Sequence, residues 1–227
     1  MLRLLRLGWW QIRRARWYIG WRFSLAIAPG RKIHGVPIKI GPVLDEAIGS
    51  RALDVVEAAL NLIAAHDPRR MKRIARDIRW VWIHHSAYAA ACWLQDLRMC
   101  VLDRNWVTAP DTMPDMIAAS IVHEATHARL DGLNIQYLEP LRARIERLCD
   151  AESIAFARRV PNGESLARRI IESRPTDAAH WSDERLDDRI LKARRSDMDA
   201  MRKELDDAHL PAWLKKLLQR LARSRAA

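Results

Sequence analysis

Residues 121–130, Ile121-Val122-His123-Glu124-Ala125-Thr126-His127-Ala128-Arg129-Leu130, decide how the rest of the chain is read. Pro114 and Asp115 open a helix upstream of them and Asp131-Gly132 closes it. On that helix Ile117, Ala118, Ile121, Val122 and Ala125 form an apolar stripe, while His123 and His127 project to another side, near Met116 and Ser120. Core packing therefore does not account for the histidines. Residues four apart lie about 40° apart around a helix axis, so the two imidazoles can be offered to one ion. Glu124 lies about 100° from His123, where its carboxylate stands beside such an ion without ligating it and can take a proton from water.

A zinc ion in a catalytic site usually has three protein ligands plus water, so a third donor is expected downstream. The next helix opens at Pro140 and stops at Pro161-Asn162-Gly163. With Leu141, Ile145, Leu148, Ala155 and Phe156 as its buried stripe, Glu152 falls in the middle of that stripe. A bare carboxylate there is costly, and coordination of a cation removes the cost, which makes Glu152 the expected third ligand. The competing account of Glu152 is an ion pair with a neighbouring arginine. Glu146, toward Arg142, Asp150 and Ser153 on the expected polar side, is the alternative ligand, and Asp150 ranks behind both. Tyr137, between the two helices, is a candidate phenol for holding an oxyanion, against simple packing in its loop.

Around these helices the chain reads as α+β, mostly helical, with a small sheet preceding the motif helix. Gly30, Gly35, Pro37, Gly41 and Pro42 punctuate a stretch of turns around a short extended piece, Val36 to Ile40. Apolar spacing predicts a core helix from Val43 to Ala65, ending before Asp67-Pro68. The β-branched and aromatic run 78–83 and the run 99–102 predict two strands. Three regions follow: a basic leader over 1–42, a core over 43–165 and a charged helical extension over 166–227. In the last of these, from Pro211, Trp213, Leu214, Leu217, Leu218 and Leu221 share one face, a pattern that predicts docking on the parent domain.

The segments 121–130 and Arg144 to Pro161 resemble a family of largely uncharacterised bacterial zinc metallopeptidases of the gluzincin type. The likeness covers roughly the middle of the chain. It implies a minimal zincin-like core, two histidines and a following-helix glutamate binding zinc, and the motif glutamate as catalytic base. Carried over, these roles fall on His123, His127, Glu152 and Glu124. The longer metzincin motif is absent, since its glycine and third-histidine positions hold Leu130 and Leu133.

Composition bounds the remaining functions. The 227 residues are 49% hydrophobic and 30% charged, which suits a folded body rather than a disordered chain. The net charge of +11 is uneven, because no acidic residue precedes Asp45 while Arg3, Arg6, Arg13, Arg14, Arg16, Arg22, Arg31 and Lys32 all do. The leader also carries Trp9, Trp10, Trp17 and Trp21 but no uncharged run long enough to span a bilayer, and arginines interrupt any signal-peptide centre. Trp with Arg suits a helix in the headgroup region, so peripheral contact with an anionic inner membrane stands beside a cytoplasmic location. Cys92, Cys100 and Cys149 are odd in number and lack a CxxC spacing, which suggests neither a disulfide framework nor a cysteine zinc site. The expected function is a zinc-dependent hydrolase acting on a peptide or protein. The alternatives are a non-catalytic zinc-bearing regulatory module at a membrane surface or on nucleic acid, with nucleic acid the weaker case, and a membrane-surface scaffold with a vestigial motif.

Overall fold

The computed structural model describes residues 28–41, 45–86, 88–161, 163–175 and 177–207. The expected interfacial helix of the leader and the amphipathic segment from Pro211 lie outside the described residues.

The architecture is α+β. Strands β1 (Gly30–Ile33) and β2 (Val36–Ile40) form a hairpin whose two connecting residues, His34 and Gly35, have φ of 48° and 87°. A two-residue turn with both φ positive matches the twist of the flanking strands and favours glycine at its second position. The chain then leaves the sheet for helices α1 (Glu46–His66) and α2 (Pro68–Asp77). Asp45 caps α1 by accepting from the amides of Ala47 and Ile48, and Asp67 ends α1 and caps α2 by accepting from the amide of Arg70. Strands β3 (Trp80–His84), β4 (Ala91–Leu94) and β5 (Met99–Asp103) complete a five-stranded mixed sheet of order β1-β2-β3-β5-β4. The β2–β3 and β3–β5 pairs are parallel, and the two outer pairs are antiparallel. After the short α3 (Arg104–Thr108) come the motif helix α4 (Pro114–Gly132), then α5 (Glu139–Ala157), α6 (Gly163–Glu172) and the long charged α7 (Asp183–Asp207).

The main core lies between one face of the sheet and helices α1, α2, α4 and α5, where Ile38, Val81, Ile83, Cys100 and Leu102 meet Val56, Leu60, Ile117, Ile121 and Phe156. Side chains alternate across a strand, so Trp82 and Val101 turn to the opposite face with Met99 and Leu97. This sheet begins earlier than the expected boundary at 43. The hairpin 30–40 is part of it, because β2 pairs with β3 and its Val36, Ile38 and Ile40 are buried in the main core. Leu166 and Ala167 of α6 join the same core, carrying it past 165. Among the described residues no helix is long and apolar enough to cross a membrane.

A buried ionic network ties α2 to α5. Arg70 pairs with the carboxylate of Asp67 and, at 2.5 Å, with Glu152, while Arg159 reaches Asp67 at 2.8 Å. Asp67 is only 3% exposed, so its charge depends on these partners. Arg70→Ala leaves Asp67 with a single arginine and Glu152 with none. We expect about 3 kcal/mol of stability to be lost, read as a lower urea midpoint at unchanged slope. A shift within about 0.5 kcal/mol would show that the network contributes nothing net.

Candidate metal centre

Helix α4 presents its buried side, including Ile117, Ile121 and Val122, to the core, and turns His123 and His127 toward α5. There the two Nε2 atoms stand 3.2 Å apart. The carboxylate of Glu146 on α5 faces both, with Oε2 at 3.1 Å from His123 Nε2 and Oε1 at 3.4 Å from His127 Nε2. Four donors about 2.0–2.3 Å from a tetrahedral ion are separated by about 3.3–3.8 Å, so these spacings are close to the shorter edges of such a polyhedron. His123, His127 and the buried Cys149 also form a group whose ligand atoms all lie within 4.8 Å of one another, and this group could hold a metal ion.

Second partners orient the ligands. Nδ1 of His123 meets Asp150 Oδ1 at 3.2 Å, and the other oxygen of Asp150 pairs with Arg174 at 2.9 Å. A proton held on Nδ1 leaves the Nε2 lone pair for a ligand. Tyr137 donates its hydroxyl to Glu146 and sets its ring edge-on to His127 at 5.5 Å, with the Arg142 guanidinium 5.4 Å from the ring centre. The phenol expected to serve an oxyanion is thus committed to Glu146. Arg142 is held in turn by the carbonyl of Trp181, at 3.1 Å, and by Asp183 at 2.5 Å, so the start of α7 packs beside the site.

Burial sets the electrostatics. Desolvation alone would lower His123, but its contacts with Asp150 and Glu146 outweigh that and push it up to about 10. His127 is lowered to about 4, first by burial and also by the charge on His123, against the pull of Glu146. Burial would raise Glu146, yet its hydrogen bond with His123 and the nearby histidine charges hold it below the usual carboxylate range. Without an ion, therefore, His123 is the protonated member of a His–Glu–His cluster, and a cation must displace that proton. Glu124 is 5% exposed and is pushed up to about 7, chiefly by burial, with Glu146 adding and His123 opposing. Its charge adds to the burial that raises the thiols of Cys92 on β4 and Cys100 on β5, two strands against which α4 packs.

Glu152 is not brought to the histidines. It pairs with Arg70 and lines a small cleft with Arg73, Asp77, Ala125 and Arg129, on the side of α5 toward α2. The expectation that it completes the ligand set is corrected, and the arginine pair that competed with it is what the structure contains. The reason is the phase of α5. Leu141 and Leu148 are 39% and 46% exposed, and the buried side carries Arg142, Ile145, Glu146, Cys149 and Ser153. Sequence reasoning ranked Asp150 behind both glutamates as a ligand and passed over Cys149. The signal that could have found them is the spacing Glu146, Cys149, Asp150, Ser153, which is i, i+3, i+4, i+7 on one helix face. No family model matches the chain, and neither the curated proteins nor the solved structures contain a match.

Proposed function

We propose that the chain is a zinc-dependent hydrolase, most simply a peptidase of gluzincin type, with His123, His127 and Glu146 as the residues that would hold the ion. The observation that carries this reading is the convergence of both Nε2 atoms and the Glu146 carboxylate within 3.1–3.4 Å, next to a buried Glu124. A bound zinc ion supplies Lewis acidity, lowering the pKa of a water molecule and polarising a carbonyl.

The chain's own groups do the rest. Glu124 accepts a proton at its carboxylate and returns it to the leaving nitrogen, a task suited to a carboxyl whose pKa is tuned by burial. Glu146 is kept ionised by its histidine and tyrosine partners, and Asp150 holds the orientation of His123. Strand β4 favours an extended peptide as substrate. It is the edge of the sheet, no further described strand pairs with it, and α4 packs against it. A peptide can add to such an edge through its main chain, presenting a carbonyl beside the histidines. A cytoplasmic location with peripheral membrane contact through the basic leader is part of the same proposal.

The test is a mixed library of unstructured peptides incubated with zinc-loaded protein, with new amino termini counted by mass spectrometry. Cleavage that stops on chelation and returns with zinc is expected. A loaded protein that cleaves nothing across the library would remove the peptidase reading.

A further inference from the structure

We infer that Cys149 is a fourth protein donor at this centre, so that the site closes from within the chain instead of leaving its last position to water. The inference rests on the metal reading above and adds a state in which the hydrolase is latent.

Two helices supply the donors in matched pairs. Helix α4 contributes His123 and His127 at i, i+4, and α5 contributes Glu146 and Cys149 at i, i+3, each pair on the face turned to the other helix. Cys149 is 0% exposed and offers its Sγ within 4.8 Å of the histidine donors. A nitrogen and a sulfur on one tetrahedral ion stand about 3.5 Å apart, so an approach of about 1 Å brings the thiol into the coordination shell. Apolar packing against Leu130 and Ile145 accounts for the burial of Cys149. It does not account for an Sγ placed within 4.8 Å of two imidazole donors. The other two cysteines sit on β4 and β5 and are not in the group.

Charge favours the same set. Asp150 is already paired with Arg174 at 2.9 Å, and among the described residues Glu146 is the one carboxylate paired with both histidines. A dication with one carboxylate keeps a net positive charge in a buried place, and a thiolate cancels it. Cys149 would bind as a thiolate, its S–H bond broken, the sulfur electron pair given to the ion and the proton released to solvent. With four protein donors the tetrahedron would be full, as in structural zinc sites, and the loaded chain would turn over through the fraction of molecules in which Cys149 has stepped back, so that the thiol slows cleavage without abolishing it.

Cobalt(II) in place of zinc, loaded into the full chain, reads the ligand set directly. Wild type is expected to show a strong near-ultraviolet thiolate-to-cobalt charge-transfer band together with the visible bands of four-coordinate cobalt. The charge-transfer band is lost in Cys149→Ser and kept in Cys92→Ser. In a weakly buffered titration wild type releases one more proton per ion, to order of magnitude, than Cys149→Ala. Stoichiometric cobalt without the near-ultraviolet band, or with a band that survives Cys149→Ser, overturns Cys149 as a ligand and leaves the His123–His127–Glu146 reading standing. If wild type binds no cobalt, both readings fall. The wild-type spectrum decides even where a variant fails to fold.

Discussion

Alanine at His123, His127 or Glu146 is expected to take the metal content of the purified protein from about one ion per chain to near zero, while Glu152→Ala leaves it unchanged. The first three residues place their donor atoms within 3.1–3.4 Å of one another, and a set that has lost any one of them holds a dication too weakly to keep it against buffer. Glu152 is committed to Arg70, so its loss is felt as stability rather than as metal. Asp150→Asn gives an intermediate result. It keeps the ion but weakens affinity by about 10- to 100-fold, because Asp150 orients His123 without touching the ion. Elemental analysis reads the first set and competition with a chelator reads the last.

The pH dependence of loading follows from His123. Its pKa is raised to about 10, so near neutrality a proton occupies a nitrogen that the ion needs, and apparent affinity rises with pH up to that value. Metal retained in Glu146→Ala and lost in Glu152→Ala would reinstate Glu152 as the third ligand. The result also separates this centre from adventitious surface binding, which would persist in every variant.

The motif helix could be read from sequence almost residue by residue. Its apolar stripe, its Pro114 start and its Gly132 end are all local signals, and α4 spans Pro114–Gly132. The strands 80–84 and 99–103 were legible for the same reason, being short β-branched and aromatic runs. Strand β4 was not, because Ala91-Cys92-Trp93-Leu94 is strand only by pairing with β5, a partnership set by tertiary contacts. Helix α5 shows a harder limit. Its leucines at 141 and 148 are the strongest apolar signal in the segment, yet both are exposed, and the buried face carries Arg142, Glu146 and Ser153 beside Ile145 and Cys149. The buried stripe is thus not the most apolar one. Glu152 then looks central and Glu146 peripheral, when the reverse holds.

Glu124→Gln is expected to lower the rate of peptide hydrolysis on the order of 10²- to 10⁴-fold while leaving the metal content at the wild-type value. The amide fills the same space and cannot accept a proton, so binding and fold are kept and only proton transfer is lost. A second, activity-free consequence concerns the metal-free chain. Glu124 has its pKa raised from 4.5 to about 7, chiefly by burial. A raised carboxyl pKa means that the folded state binds the proton more tightly than the unfolded one. Its contribution to stability is complete below about 4.5 and is lost as pH climbs through about 7. The metal-free wild type should therefore lose on the order of 3 kcal/mol relative to Glu124→Gln between pH about 4.5 and about 8, since the glutamine carries no charge to bury. Bound metal abolishes the difference, because a neighbouring dication stabilises the carboxylate and brings its pKa down, leaving the base ionised at neutral pH. Urea midpoints of the two proteins, metal-free and loaded, measured across that range, give two pairs of curves, and the wild type should fall relative to Glu124→Gln in the metal-free pair alone. Parallel metal-free curves would show that Glu124 is not the buried, desolvated carboxyl that the site requires, and its assignment as the base would fail with it.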